Sequence, residues 1–536
     1  MFNHKRFLTT LGAASVLLLA ACGAPAGNDA PAGAPPSAPT EQAPAVQQAE
    51  QGAAATVAVS AQDTLDMLVL TLANSLDPHV SNDSGSAQIN TQIYSRLLGI
   101  DYNDFSPLPS LATDWNVVDA QTIEMTLAQG VTFHNGMPLT AYDVQYSLER
   151  AAASPAMEPI IGMLSHVEVH DDHNFTIHLA IPYAPILRML AHVGTSIVSR
   201  ELSESGHDLS EHPIGTGAFV FENLVIGSSL TLSSNPDYFG GQPLVSTVNF
   251  RQVTEPSVRL IEVEAGTADI AIGIAAADLP RAEASTDATL LRRVNLSTNY
   301  IGFNTQQGPL ADQRVRQAIR YALDTELMWD VVFLGVGQPA HNVMGPNVFG
   351  HAPVRRFEPN LDRALELMEE AGFADGFTVE MAFNVETPQR ADISTITANM
   401  LRDLNIDVEI VGLEWGVYLD HTDSTDHGMF VLGWVALGGD ADYALWPNFH
   451  SSLIDGGNRV RLNSPELDVL LDTAREETDQ NRREALYAEA LELINELSVW
   501  IPLNHGEELV AVNNNLRGLV LAPGGHHVLS TVYFVD

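Results

Sequence analysis

Cys22 is the only cysteine among the 536 residues of the chain. A single cysteine forms neither an intrachain disulfide nor a thiolate metal cluster, so the fold must be held together by its hydrophobic core. A body of about 480 residues after the N-terminal region is too large for one compact core. We therefore expect the chain to fold into several lobes that pack without covalent cross-links.

The cysteine directly follows a short apolar segment. Lys5 and Arg6 precede the apolar run at residues 17–21, which is too brief to span a bilayer. The Leu-Ala-Ala-Cys string resembles the bacterial lipoprotein processing site, so we expect residues 1–21 to be a signal peptide and Cys22 to be lipidated. The protein would then lie outside the cytoplasm and contact a membrane through its lipid anchor only. The alternative is an ordinary cleaved signal with an incidental cysteine.

Residues 22–55 consist mainly of alanine, proline, glycine and glutamine, with no periodic apolar face. Burial of such a segment cannot offset the entropy lost on ordering it, so the composition predicts a flexible tether. We interpret this tether as the link between the membrane anchor and the folded body.

The chain is strongly acidic, with 67 aspartate and glutamate residues against 25 lysine and arginine residues, and its only lysine is Lys5. Nucleic acids and anionic bilayers are bound by clustered cations, so this balance argues against both as partners. Two interpretations of the charge stay open: a cationic ligand or an acidic or saline exterior, and a solvated surface that keeps an exported protein soluble.

Patterns typical of strands and of helices alternate along the chain, which predicts a mixed α/β fold. Apolar residues alternate with polar ones around Met125 and Ile177, and this period of two indicates half-buried strands. Thr140 followed by Asp143 indicates a capping box at the start of a helix over residues 141–150. Further helical signals are the faces formed by Val315, Ile319, Leu323 and Leu327 and by Leu486, Ala490, Leu493, Ile494 and Leu497, and a helix start at Ser464 and Pro465.

Several long strings occur in a characteristic order. They are residues 130–150 (GVTFHNGMPLTAYDVQYSLER), 213–224 (PIGTGAFVFENL), 235–241 (NPDYFGG), 300–324 (YIGFNTQQGPLADQRVRQAIRYALD) and 433–452 (GWVALGGDADYALWPNFHSS). Together they closely resemble the signature blocks of the peptide/nickel/opine family of extracellular solute-binding proteins, the receptors of ABC importers. The resemblance runs from about Thr64 to the C-terminus.

The resemblance implies a two-lobed α/β fold of the periplasmic-binding-protein type II class, with an additional domain inserted in the N-terminal lobe. We expect a discontinuous lobe I, the inserted domain at residues 93–212 and lobe II at residues 300–508. The segments of lobe I would be residues 56–92, 213–299 and 509–536. The solute would lie in the cleft between the lobes and favour their closure through the contacts it gains there.

Candidate solute contacts follow from the matching blocks. The Gly-Trp block forms part of the pocket wall in the family, so Trp434 is the first candidate, with Asp440, Asp442 and Tyr443 behind it. An indole supplies a flat apolar surface and a site for a cation–π contact. The alternative is that Trp434 belongs to the core and that the two aspartates cap a turn.

Two loops add further candidates. Asp77 and His79 match an early loop that reaches the cleft in relatives, although an aspartate before a proline also forms Asx turns. Thr216 lies between Gly215 and Gly217, where a tight turn lets the chain change lobes or lets the backbone approach a ligand.

The chain departs from the dipeptide-binding pattern at both charged anchors. Relatives that bind peptides carry an aspartate three residues after the tryptophan, and that position is Leu437 here. The arginine that holds a dipeptide carboxylate in relatives falls near Asn384, with Arg390 close by. The two strongest charge-assisted bonds to a dipeptide would be absent, so we expect an oligopeptide, a modified peptide resembling glutathione, or another small solute.

We expect no catalysis, cofactor or metal. The chain lacks a nucleophile elbow, a His-Glu-x-x-His helix and a phosphate loop. Two groups of histidines are the candidates for a metal site, but the Asp171-Asp172 turn would direct several of the first group into solvent. The first group is His166, His170, His173 and His178 in a predicted strand–turn–strand region, and the second is His526 and His527 near the C-terminus.

We predict a monomeric receptor that delivers its solute to a separate ABC permease and its ATPase subunits. The alternatives are a secreted chaperone or sensor on the same scaffold, and a secreted glycosidase using two carboxylates such as Asp440 and Asp442.

Overall fold

The computed structural model describes residues 60–536 with four gaps, at Asn82, Asp104, Glu386 and Asp455. The predicted signal peptide, the predicted lipidation site at Cys22 and the predicted tether lie outside the described residues. Within the part of the chain that is described, no helix is long and apolar enough to cross a membrane.

The strands are numbered in chain order. They are β1 (Thr64–Val69), β2 (Leu98–Ile100), β3 (Pro107–Pro109), β4 (Ala112–Asp119), β5 (Thr122–Leu127), β6 (Leu164–Val169), β7 (Asn174–Leu179), β8 (Phe219–Val225), β9 (Ser229–Ser234), β10 (Thr247–Gln252), β11 (Ile270–Ile272), β12 (Ala288–Phe303), β13 (Gln338–Pro339), β14 (Phe377–Asn384), β15 (Ile406–Leu413), β16 (Met429–Val435), β17 (Trp500–Asn513), β18 (Leu516–Arg517) and β19 (Tyr533–Phe534).

The α-helices are numbered in the same way. They are α1 (Ser84–Ile93), α2 (Ala141–Ala152), α3 (Glu158–Ile161), α4 (Ile186–Met189), α5 (Arg200–Glu204), α6 (Pro256–Glu264), α7 (Leu279–Ala284), α8 (Gln313–Ala322), α9 (Thr325–Phe333), α10 (Leu361–Ala371), α11 (Pro388–Leu401), α12 (Trp415–Asp423), α13 (Ala441–Phe449), α14 (Pro465–Glu476) and α15 (Gln480–Leu497).

One large mixed sheet runs through the fold in the order β15-β14-β16-β12-β17-β11-β1-β10-β9-β8, with β13 beside β17. The strands β12 and β17 pair antiparallel along most of their length, and the register shifts between Val294 and Thr298. On one side of this shift β17 also pairs with β11, and on the other side β12 also pairs with β16. These two long strands therefore belong to both halves of the sheet.

The predicted lobe boundaries after residues 299 and 508 fall within the two long strands. Each half of the large sheet has its own buried apolar cluster, as expected when one chain forms several cores. In one half, the ring of Tyr300 on β12 stacks on Trp500 of β17 with 3.3 Å between ring centroids. The exact division into lobes stays a prediction.

A second sheet, in the order β4-β5-β7-β6, lies within the segment predicted as an insertion. The apolar residues of β5 and β7 are buried, and the α2 residues Val144 and Leu148 belong to the same buried cluster as Phe175 and Ile177. This sheet and helix thus have an apolar core of their own.

Most predicted elements are confirmed. The strands around Met125 and Ile177 are β5 and β7, and α2 begins with the capping box of Thr140 and Asp143. The helix predicted at Ser464 is α14, in which the Ser464 side chain accepts a hydrogen bond from the N–H of Leu467. The apolar face ending at Leu497 belongs to α15.

The continuous helical face through Leu323 and Leu327 is wrong. The helix α8 ends at Ala322, and Asp324 starts the new helix α9 by accepting a hydrogen bond from the N–H of Leu327. Leu327 consequently points away from the face of Ile319 and is 49 % exposed. The Asp324 cap thus starts a new helix where the spacing of the apolar residues alone would have continued the first one.

Candidate functional site

A cavity of about 640 Å3 lies beside the two long strands, where their register shifts. Residues 295–297 of β12 and residues 507–509 of β17 line it. Residues from both halves of the large sheet and from the C-terminal loop complete the walls, among them Thr71, Gln88, Gly273, Trp434, Tyr443 and His526. The volume is within the range of about 300–1,000 Å3 that is usual for small-molecule sites.

Trp434 and Tyr443 form an aromatic wall of this cavity. Trp434 lies on β16 opposite Thr298 of β12, and Tyr443 lies on α13. The indole Nε1 of Trp434 donates a hydrogen bond of 2.9 Å to the carbonyl oxygen of Tyr443, and the two rings stack with 5.5 Å between centroids and 28° between planes. Burial raises the pKa of Tyr443, so its hydroxyl is neutral at physiological pH. The structure thus brings together two of the predicted site residues.

Two neighbouring carboxylates on β17, Glu507 and Glu508, line the cavity and have different partners. Glu507 accepts hydrogen bonds of 2.9 and 2.7 Å from the Arg292 guanidinium and one of 3.0 Å from the N–H of Gly337. Burial raises the pKa of Glu507, but the bonds from Arg292 and Gly337 outweigh it and leave the pKa lowered. The charge of Glu507 is therefore already matched by Arg292.

Glu508 has an imidazole as its neighbour instead of a guanidinium. Its Oε1 lies 3.2 Å from Nε2 of His527, which is fully buried. Nδ1 of His527 accepts a hydrogen bond of 3.3 Å from the N–H of Ala522, so Nε2 is the ring nitrogen that faces Glu508. Among the described residues Glu508 has no ion pair with an arginine, in contrast to Glu507.

A smaller annex of about 80 Å3 adjoins the main cavity and shares His192, Leu437 and His526 with it. Arg96 and Arg188 also line the annex. Burial, followed by the nearby charge of Arg96, lowers the pKa of His192 to about 4. The annex therefore combines guanidinium groups with a histidine that is neutral near pH 7.

Asp440 and Asp442 are buried and do not line the cavity. Asp440 starts α13 by accepting a 3.0 Å hydrogen bond from the N–H of Asp442, and its carboxylate lies 2.7 Å from Arg483 and 3.3 Å from Arg188. Asp442 lies 3.3 Å from Arg475, and burial raises its pKa to about 6. Asp440 therefore caps the start of a helix, whereas the Asp442 carboxylate faces Arg475 instead.

Asp77 and His79 also lie in a buried network. Asp77 forms an Asx turn by accepting a 3.0 Å hydrogen bond from the N–H of His79, and it pairs with Arg150. Nδ1 of His79 accepts a bond from Arg150, and its Nε2 donates to the carbonyl oxygen of Ser196. Burial lowers the pKa of His79 to about 4. This loop fixes α2 in place and does not line the cavity.

Thr216 is buried where its neighbours pack on the end of α1. A Cβ on Gly217 would lie 2.4 Å from the carbonyl oxygen of Gln92, so only glycine permits this approach. His134 holds the same turn, because its Nε2 donates to the carbonyl oxygen of Gly217 at 3.1 Å. The backbone here approaches a helix rather than the cavity.

Asn384 ends β14 and accepts a hydrogen bond from Arg390 of α11. Neither residue lines the cavity. Leu437, by contrast, lines both the cavity and the annex, so an apolar side chain occupies this part of the wall.

Among the described residues, no three histidine, cysteine, aspartate or glutamate side chains converge to hold a metal ion. His166 and His178 stack on one another with 4.5 Å between ring centroids, and His170 contacts Thr176. The clustered histidines therefore form surface contacts along β6 and β7.

Sequence reasoning missed His192 and Glu508, which line the cavity, and Arg96, which lines the annex. These three carry no motif, and they reach the cavity or the annex from segments that are distant in the chain. The sequence marks His526 only as a metal candidate.

Three comparisons with known proteins bear on this site. Residues 106–455 match the family model described as "Bacterial extracellular solute-binding proteins, family 5 Middle". The dipeptide-binding protein of Escherichia coli (strain K12) is 27 % identical over 82 % of this chain and 88 % of its own length. The glutathione-binding protein GsiB of Salmonella typhi is 28 % identical over 84 % of this chain and 90 % of its own length.

A solved structure extends the similarity to three dimensions. HbpA2 from Haemophilus parasuis superimposes with a TM-score of 0.82 at 27 % identity, covering 88 % of this chain and 100 % of the other. The similarity therefore includes both halves of the large sheet and is not confined to one lobe.

Proposed function

This chain belongs to family 5 of the bacterial extracellular solute-binding proteins, and we propose that it is the receptor of an ABC importer for a peptide-like solute. The family and the two-lobed α/β fold expected from the sequence are confirmed. The receptor captures the solute outside the cytoplasm and delivers it to a membrane permease driven by separate ATPase subunits.

The observation that carries this proposal is the position of the cavity. It is lined by the two strands that both halves of the large sheet share and by side chains from each half. A solute bound there contacts both halves, so it stabilises the closed arrangement by contacts that the open arrangement lacks. Trp434 and Tyr443 are the proposed contacts for its apolar part.

A peptide-like solute is supported by the relatives that are named for dipeptide and glutathione. Leu437 argues against the usual salt bridge to a peptide amino group at that position, which favours a modified or longer peptide over a simple dipeptide. The solute leaves chemically unchanged, because the chain carries none of the common catalytic motifs.

The membrane anchor completes the proposal. Residues 1–21 are removed, Cys22 is lipidated, and residues 22–55 tether the body to the membrane. Labelling of cells with a radioactive fatty acid tests this part. The wild-type protein should carry label and sediment with membranes, whereas Cys22→Ala should do neither.

Native mass spectrometry of protein purified from its host tests the solute class. We expect a co-purified peptide or peptide derivative whose mass is lost after partial unfolding and refolding. Recovery of a sugar, or of a solute that the protein hydrolyses during incubation, would contradict the proposal. Release of ordinary dipeptides would support the receptor but overturn the argument from Leu437.

A further inference from the structure

Arg96 is a guanidinium in the annex without a carboxylate partner. It lies just beyond the end of α1, is partly buried, and forms no ion pair with any carboxylate of the described residues. Arg188, the other arginine of the annex, is bound to Asp440 and to the carbonyl oxygen of Phe105. In a chain with 67 acidic residues, an inward-facing arginine without an acidic partner indicates a ligand with negative charge.

The imidazoles around Arg96 are neutral hydrogen-bonding groups. Burial is the main cause that lowers the pKa of His192 to about 4 and that of His526 to about 3. Nδ1 of His192 accepts a 3.0 Å hydrogen bond from the N–H of Gly194, which places the ring proton on Nε2. His192 thus supplies a donor near the Arg96 guanidinium without adding repulsion from a second cation.

The main cavity carries the opposite charge. Glu507 is paired with Arg292, whereas Glu508 has no arginine partner among the described residues, and its close neighbour is the His527 imidazole, with Nε2 at 3.2 Å. No arginine is among the residues of the described chain that line the main cavity. Glu508 is therefore available to an ammonium group.

We propose that the solute is a zwitterion whose carboxylate binds Arg96 and His192 in the annex and whose ammonium group faces Glu508 in the main cavity. This inference rests on the proposed receptor function and specifies the solute class of the same site. The two charged ends of the solute are separated by the part that contacts Leu437 and Trp434. Charge-assisted bonds at both ends replace the two anchors that the sequence lacks at Leu437 and Asn384.

The test uses the full-length protein and a defined probe, an equimolar mixture of tripeptides together with reduced glutathione. The tripeptides are prepared in three forms: with both termini free, with acetylated N-termini and with amidated C-termini. Native mass spectrometry identifies captured peptides, and calorimetry measures Kd for the tightest one in each form. The variants are Arg96→Gln, Arg96→Lys and Glu508→Gln, with Arg363→Gln on the exposed face of α10 as the control.

We expect the wild-type protein to bind free termini about tenfold or more tightly than either blocked form. Arg96→Gln should lose the preference for a free carboxylate and keep the preference for a free amine, whereas Glu508→Gln should do the reverse. Arg96→Lys should retain part of the carboxylate preference, because it keeps the charge but not the planar fork. Arg363→Gln should behave as the wild-type protein.

Tight peptide binding with equal affinity for the blocked forms would overturn the inference and leave the receptor function standing. The inference is likewise overturned if Arg96→Gln and Glu508→Gln keep both wild-type preferences. Capture of neither tripeptides nor glutathione by the wild-type protein would overturn the peptide-like solute and the inference together. Thermal melting of each variant establishes that it is folded before its Kd is compared.

Discussion

The indole of Trp434 and the backbone of Tyr443 are joined by a hydrogen bond of 2.9 Å, which links the end of β16 to α13. The bond satisfies Nε1, the only polar atom of the indole. It holds the indole stacked on the Tyr443 ring, with 28° between the two ring planes. The solute therefore meets an aromatic surface that is already oriented, which lowers the entropy lost on binding.

Trp434→Ala should weaken solute binding by about tenfold, or about 1.4 kcal/mol, because a truncated aromatic contact no longer shields the solute from water. Calorimetry with the co-purified solute measures this change. The melting temperature of the empty protein should change little, since Trp434 is only partly buried. A large loss of thermal stability with unchanged Kd would instead assign the indole to the core. Trp434→Phe, which keeps a flat ring, should bind more tightly than Trp434→Ala.

Asp440→Asn should strongly destabilise the protein. The substitution removes the charge that Arg483 and Arg188 share while leaving both guanidinium groups buried. Breaking a buried ion pair in this way costs about 3–5 kcal/mol, which denaturant titration reports as a lower free energy of unfolding. Glu366→Gln is the matched control, because the pair of Glu366 with Arg363 is exposed and should contribute less than about 1 kcal/mol. Equal effects of the two substitutions would contradict a structural role for Asp440.

Acidification between about pH 7 and pH 4.5 should destabilise the protein through its buried histidines. Several histidines have a strongly lowered pKa, and the unfolded chain, with histidine pKa values of about 6.5, binds protons that the folded chain refuses. The free energy of unfolding must then fall as the pH falls through this window. Burial raises the pKa of three aspartates, Asp269, Asp423 and Asp442, and these groups act in the opposite direction, but they are fewer than the histidines. The histidines are His79, His134, His192 and His505, with pKa values of about 4, and His526, with a pKa of about 3.

His505→Gln separates the histidine effect from the general charge of the chain. The ring of His505 has a single side-chain partner, the Thr298 hydroxyl at 3.0 Å, which an amide also satisfies. Urea titrations at several pH values should give a shallower pH dependence for this variant than for the wild-type protein. Identical slopes would show that His505 does not titrate as its burial requires.

Gly217→Ala should prevent folding or lower the melting temperature markedly, because the added methyl group would collide with the carbonyl oxygens of Gln92 and Ile93. Backbone atoms at the end of a helix cannot move aside without breaking other hydrogen bonds. Gly99→Ala is the control, since its Cβ would meet ordinary contacts at 3.6 Å or more. Circular dichroism melts distinguish the two, and similar melting temperatures would contradict the close approach of the Gly217 turn to α1.

Local signals in the sequence were sufficient for elements whose cause is local. The capping box at Thr140 and the serine cap at Ser464 each depend on residues within one helical turn, and both helices begin where predicted. The break between α8 and α9 was missed because two local signals disagree. The helical spacing of the apolar residues predicts one continuous helix, whereas Asp324 caps the start of a second one, as the structure has it. Sheet order was beyond local reasoning, since strands such as β12 and β17 are some two hundred residues apart.

Residues of the site could be predicted from the sequence only where they lie in one of the strings that resemble the family, such as residues 433–452. Trp434 and Tyr443 lie in one such block and reach the cavity together. Asp440, in the same block, turns inward because Arg483 supplies a buried partner 43 residues later, a pairing that no spacing rule anticipates. Arg96 and His526 meet only after the whole chain has folded, so their proximity could be found in the structure alone.

The shift in register between β12 and β17 lies at residues that also line the cavity. A solute in the cavity would therefore contact the peptide units at which the two halves of the sheet diverge. A substitution at residues 295–297 that enlarges the cavity should therefore also alter how the two halves of the sheet are joined.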